Sequence, residues 1–263
     1  MGNEIEDKFR KMGARVKVVG DRLAPLRIDV RHDKAGEYFD VRHDPAAVAV
    51  QVVDVRPGER HLLLMARRLE PAKGEPTNSK FLCGHDERAW FVAAVPESAR
   101  ATSVQDAKDA LKPGQVWASI RRHGVPMKNR DRRRTDAFFR QGEWFFLPRP
   151  WVTVDDWLVL KDEPIRRGAG KPHRCEFLYR IGGQAVYVHE RHPNGLTLAE
   201  WRELPEIERN APSWRVMQRD ARVYVKGAIR HPDHATIRLP YWHEVVMNTE
   251  TSARAMRNVA FLD

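Results

Sequence analysis

His231, His234 and His243 are gathered near the C-terminal end of the chain, with Asp233 between the first two. Neutral imidazoles, or two of them with a carboxylate, form the donor set of Zn²⁺ and related divalent ions. Such an ion activates water against a phosphodiester. His231 and His234 flank a Pro-Asp pair that reads as a turn, and His243 follows on the next strand, so a hairpin would let the three converge. No His-Glu-x-x-His word is present, and Asn248 follows His243 too closely for the ββα-metal nuclease arrangement. Cys83-x-His85 and His173-x-Cys175 would each present both side chains on one strand face, which allows a joint four-ligand zinc site. Structural zinc normally uses wider spacing within each pair. No Gly-x-Ser-x-Gly elbow occurs, and the neighbours Asp155 and Asp156 would point apart on a strand.

A larger group of residues points to a different chemistry. Arg121, Arg122, Lys128 and Arg130 are followed by Arg132, Arg133, Arg134 and Arg140, opposed only by Asp131 and Asp136. Like charges at this density repel unless a polyanion is near, and a phosphate backbone is the commonest such partner. The planar fork of arginine suits phosphate oxygens and base edges. A second basic group, Arg166, Arg167, Lys171 and Arg174, is interleaved with glycines that would let backbone N–H groups approach an anion. It is not a Walker loop, because Pro172 follows Lys171. Trp144 and Trp151 supply rings on which bases could stack. These features lead to the expectation of a nucleic-acid-binding protein, with RNA or single-stranded DNA favoured, acting alone or with other protein subunits in a nucleoprotein assembly. Under that reading no cofactor is needed. Two alternatives stay open: a phosphodiesterase or nuclease that uses a divalent metal ion at the histidines, and a structural protein whose basic face meets an acidic protein.

Bulk properties agree with a basic, folded chain. The 263 residues carry a net charge of +10, with 42% hydrophobic residues, enough for a packed core. No apolar run approaches the roughly 18 residues of a spanning helix, so no membrane partner is expected. The first residues lack a signal-peptide apolar core, and Glu6 stands where a myristoylation word wants Ser or Thr. The two cysteines are too sparse for a disulfide framework. A cytoplasmic location is expected.

The elements that must position these residues are mostly strands. Glu4–Met12 has helical spacing and stops at Gly13. Short alternating runs follow at Arg15–Val19, Leu26–Val30, Tyr38–Val41, Val48–Val53, His61–Ala66, Phe81–Cys83 and Trp90–Val95, separated by turn residues. Asp-Val-Arg-His-Asp occurs at Asp29–Asp33 and again at Asp40–Asp44, which fits two adjacent strands. Thr102-Ser103 caps a helix through Leu111, and Gln115–Arg122 reads as a second. A short basic helix is allowed from Lys128 to Phe139. Gly142–Pro148 is an aromatic strand whose alternation puts Trp144 and Phe146 on one face and Phe145 on the other. Val154–Leu160, Ala185–His189, Trp214–Met217, Arg222–Ile229, Ala235–Leu239 and Trp242–Met247 also read as strands, Glu176–Arg180 as a short helix or strand, and Thr197 with Glu200 forms a capping box. Arg-His-Pro-(Asn/Asp) occurs at Arg191 and Arg230, in both cases as turn chemistry. The expected class is α+β, mainly antiparallel β in barrel- or sandwich-like sheets with a few short helices. The expected division is a β-rich domain over 1–112 and an α+β domain over 113–263 that begins with the basic segment.

Overall fold

The structure, a computed structural model, describes residues 2–23, 26–70, 77–167 and 171–253. Helix α1 (Gly2–Lys11) precedes three strands, β1 (Val16–Gly20), β2 (Leu26–Asp33) and β3 (Gly36–His43). The repeated word forms the β2–β3 hairpin, with Asp29 opposite Asp40. The β2 side of β3 is taken by the hairpin, so β1 adds to the other edge and runs parallel to β3. This is the one parallel pair among the described strands of a mainly antiparallel architecture. Next comes a four-stranded meander, β4 (Val48–Arg56), β5 (His61–Arg68), β6 (Asn78–Asp86) and β7 (Ala89–Val95).

The meander is apolar on both faces, and its neighbours cover both. Leu62, Leu64, Phe81 and Cys83 face α1 and the first sheet. Leu63, Leu82, Ala93 and Val95 face helix α2 (Val104–Ala110). Alternation along each strand divides the residues in this way, and it accounts for three consecutive leucines, Leu62 to Leu64, each with 0% exposure. Ser103 caps α2 by accepting the Asp106 N–H.

Helix α3 (Gly114–Arg122) leads into a 3-10 turn at Met127–Asn129 and then an irregular ridge, not the basic helix that the spacing allowed. The physical reason lies in the carboxylates around it. Arg130 turns to Asp109, Arg133 to Asp86 and Glu87, and Asp131 to Lys112. Those partners lie in different directions and no single helix face could reach them. Strands β8 (Phe139–Gln141) and β9 (Trp144–Pro148) form a hairpin whose turn is Gly142-Glu143. Phe145 packs with α3, whereas Phe146 and Trp144 pack on the opposite face, as alternation requires.

The segment expected as a strand from Val154 contains a 3-10 turn at Asp156–Leu158, and strand β10 spans Leu160–Ile165. The paired carboxylates Asp155 and Asp156 sit at that exposed turn. The remaining strands are β11 (His173–Ile181), β12 (Gln184–His189), β13 (His192–Leu196), β14 (Arg215–Arg219), β15 (Arg222–His231) and β16 (His234–Met247). Between β13 and β14 lie α4 (Leu198–Glu203), which carries the expected capping box, and α5 (Glu206–Arg209). One sheet has the order β10-β11-β15-β16-β9-β8 and curls around Phe146, Leu178, Val225 and Ile229 without closing into a barrel. The order β13-β12-β14 makes a small separate sheet. Pro193-Asn194 lies inside β13 and not in a turn, a position open to proline because β13 is an edge strand. Pro232-Asp233 does turn the chain, between β15 and β16. The class is therefore α+β and mainly antiparallel β. Among the described residues no helix is long and apolar enough to cross a membrane.

The ridge is anchored by charge as well as packing. Lys112, whose side chain is only 5% exposed, donates to Asp131 at 2.6 Å and to Asp109 at 3.0 Å. Gln105 donates to the other Asp131 oxygen at 2.9 Å. Burial pushes the Asp131 carboxyl up, but Lys112, Gln105 and Lys108 outweigh it and hold the pKa at about 2. A carboxyl depressed in the folded state stabilises the fold above its unfolded pKa, and that contribution is lost as pH falls from about 4 to about 2. After discounting for partial solvent screening, about 1–2 kcal/mol is at stake. Urea titrations at pH 6 and pH 2.5 should therefore show a smaller acid loss in Asp131→Asn than in the wild type. An equal loss in both would remove Asp131 from the account.

Candidate metal centre and the cavity around it

The β15–β16 hairpin brings His231 and His234 directly opposite each other. The first residue of β11, His173, lies beside them, and ring nitrogens of all three fall within 4.8 Å of one another. The rings of His173 and His231 stack at 4.2 Å, and those of His173 and His234 at 5.7 Å. His243 does not join them. It sits mid-strand in β16 with 0% exposure, stacked on Tyr241, and its Nδ1 bonds the Tyr241 carbonyl at 2.8 Å. Burial lowers its pKa, which suits a neutral core histidine. The third imidazole is thus His173, which the sequence reading had assigned to a pair with Cys175.

That pairing does not form. Cys83 belongs to the core between the first sheet and the meander, and Cys175 to the core of the curled sheet. Both thiols are free and buried, and burial pushes the Cys83 pKa up and the Cys175 pKa to about 12.

Each histidine of the centre has a distinct environment. His173 is 2% exposed, and its Nε2 has no hydrogen-bond partner. Burial first, then the neighbouring His231 and His234, lower its pKa to about 3. The ring is neutral near pH 7 and its lone pair is available. His234 is likewise lowered, chiefly by burial and His231, against the opposing pull of Asp86, Glu87 and Asp233. Its Nδ1 lies 3.6 Å from Glu87 Oε2. At that distance the carboxylate attracts the ring by charge without a hydrogen bond, a looser form of the carboxylate partner that metal-ligating histidines usually have. His231 is tied differently: its Nδ1 accepts the Asp233 backbone N–H at 3.2 Å, which puts the proton of the neutral ring on Nε2. To share an ion with the other two, His231 must rotate out of its stack and give up that bond or that proton.

Glu87 is a hub. It has φ 53, a left-handed conformation costly for a non-glycine residue. From there it meets His234, pairs with Arg133 at 2.7 Å and accepts the Ala235 N–H. The contacts with His234 and Ala235 join the β6–β7 turn to the β15–β16 hairpin, and the pair with Arg133 joins it to the ridge. Gly142 closes the other side. A Cβ built there would lie 3.0 Å from His234 Nε2 and 3.6 Å from His173 Nε2, and its φ is +56. The Nε2 atoms of two histidines therefore face a space that only glycine leaves open. Gly142→Ala should cost about 1–2 kcal/mol from the backbone alone, and metal affinity should fall further than stability does. Calorimetric metal titration and urea unfolding on the same sample would separate the two effects.

The centre opens on a cavity of about 430 Å³ between the meander and the curled sheet, with the ridge along one side. It is bounded by residues on both sides of Lys112, the position where a domain boundary was expected. Its cations are mostly committed. Arg133 and Arg140 share Asp86, Arg130 grips Asp109, and Lys171 meets Asp233 at 2.8 Å. Arg167 is paired with Glu250, and Arg174 with Asp162 outside the cavity. The glycines of the second basic group, at 168–170, lie outside the described residues.

The other arginines of the basic segment are placed differently. Arg121, Arg122, Lys128 and Arg132 are exposed and make no ion pair among the described residues. Arg134 lies over the Phe139 ring at 5.0 Å. Arg166 is exposed and also makes no ion pair among the described residues. Trp144 is half-buried, edge-on to His173 at 6.5 Å, whereas Trp151 is 67% exposed. Sequence reasoning missed Glu87 and Gly142 altogether. Gly142 carried a signal, as a glycine in a two-residue turn; Glu87 carried none. Comparison with protein-family models, with curated proteins and with solved structures returns no match.

Proposed function

We propose that the protein is a metal-dependent hydrolase of anionic esters, phosphodiesters foremost, whose ion is held by His173, His234 and His231. The observation that carries this reading is the convergence of His173 Nε2 and His234 Nε2 on the space beside Gly142, with Glu87 behind His234. Three neutral imidazoles suit Zn²⁺ and leave its charge of two uncompensated, which favours an anionic substrate. A bound Zn²⁺ supplies water with a pKa of about 7 and polarises the ester. The chain's own groups do the rest. Glu87 lies behind His234 and favours a cationic centre there, while Arg133 and Arg140, steadied by Asp86, line the cavity where a substrate oxyanion would sit. The two buried, free thiols fit a reducing compartment, which supports a cytoplasmic location.

The test uses purified full-length protein stripped with EDTA and titrated with Zn²⁺, Mn²⁺ and Co²⁺. Thermal stabilisation by at least one ion is expected, together with EDTA-reversible hydrolysis of bis(p-nitrophenyl) phosphate. Absence of both ion binding and hydrolysis would refute the proposal.

A further inference from the structure

We infer that the outer face of the ridge is a track for a single nucleic-acid strand, which it leads to the histidine centre. This names the substrate of the hydrolase proposed above and rests on that reading for the cleavage step. The ridge has two faces, one turned to the cavity and one to solvent. Arg130, Asp131 and Arg133 turn in and line the cavity, where carboxylates neutralise both arginines. Lys128, Arg132 and Arg134 turn out to solvent, and Arg121 and Arg122 at the end of α3 extend the same segment. The inner arginines are used up in holding the ridge to the meander, whereas none of the outer five has a carboxylate within salt-bridge distance among the described residues. Asp131, one of the two acids in this segment, is turned inward to Lys112 and cannot screen them.

Arg121 and Arg122 gain something from the C-terminal end of the α3 dipole, but Lys128, Arg132 and Arg134 lie beyond the helix and gain nothing from it. A group of exposed cations without carboxylate partners among the described residues, one of them (Arg134) resting on the Phe139 ring, beside a cavity whose own cations are occupied, fits a polyanion that binds outside and reacts inside. The strand must be single, because His173 is 2% exposed at the base of the cavity. The phosphates of an intact duplex lie on a cylinder too wide to enter a space of about 430 Å³.

The experiment measures anisotropy of fluorescein-labelled U12, dT12 and a 12-base-pair duplex in EDTA, across a salt series. Single strands should bind with log K falling against log salt at a slope of about −0.7 per phosphate neutralised, near −3 for a track of four or five cations. The triple variant Arg121→Gln, Arg122→Gln and Arg132→Gln touches no ion pair and should fold normally. It should lose about two units of that slope and bind at least about 10-fold more weakly. His173→Ala should bind the strand as the wild type does. No binding at about 50 mM salt, a triple variant indistinguishable from wild type, or a preference for duplex would each overturn the track. Hydrolysis of the small diester would survive those results. Strand binding without metal-dependent hydrolysis of either strand or diester would instead overturn the metal reading and leave the ridge as a binding surface only.

Discussion

His234→Ala is expected to abolish EDTA-sensitive hydrolysis and to weaken metal binding by at least about 100-fold, beyond the 10–100-fold typical for loss of a mere orienting partner. The physical basis is that His234 is one of two imidazoles already presented to the same space and the one with a carboxylate behind it. A structural histidine would give a different pattern. Its Nδ1 makes no hydrogen bond in the fold, so truncation in EDTA should cost only the packing of a ring beside His173 and His231, about 1–3 kcal/mol. With metal present the proteins should diverge. At an ion concentration 100 times the wild-type Kd, wild type should gain about 2.7 kcal/mol and the variant about 0.4 kcal/mol at most. His243→Ala is the matched control. It deletes a fully buried ring that stacks on Tyr241 and meets Phe139 edge-on, so it should lower stability yet leave metal affinity unchanged. Equal metal stabilisation of His234→Ala and wild type would show that the histidine cluster is not the ion's site.

Much of the fold was legible because it obeys local periodicities. The strands of the meander read correctly since alternation and turn residues agreed, and the doubled Asp-Val-Arg-His-Asp word proved to lie on the two strands of one hairpin, meeting only at Asp29 and Asp40. The aromatic strand divided its rings between two cores as the period of two demands. The site was harder to read. The sequence held His231 and His234 together because a two-residue turn joins them, but it offered His243 as the third member on proximity alone. His173 arrives through strand order, β11 beside β15, which no local pattern announces. The basic segment shows the same limit. Its charge count was visible, but the division between inward and outward arginines depends on carboxylates from Asp86 to Asp109, distant in sequence and near only after the meander and α2 are packed.

Those distant carboxylates make the second large effect a matter of stability. Arg133→Met should destabilise the protein by about 2–4 kcal/mol, the upper part of the range for breaking a buried pair being reduced because the arginine itself is partly exposed. Asp86 and Glu87 have side chains only 12% and 11% exposed. With Arg133 gone, Asp86 keeps Arg140 at 3.4 Å, but Glu87 loses its one guanidinium. The left-handed backbone of Glu87 would then be held chiefly by the Ala235 N–H and His234. In urea the midpoint should fall with an unchanged m-value, since the unfolded surface is the same. The cycle with Glu87→Gln decides between two accounts. If the cost is an orphaned charge, Arg133→Met in the Glu87→Gln background should cost about 1–2 kcal/mol less than in wild type. If Arg133 matters only as packing along the ridge, the two costs should add, and the Glu87 contacts with His234 and Ala235 would hold the turn to the hairpin without it.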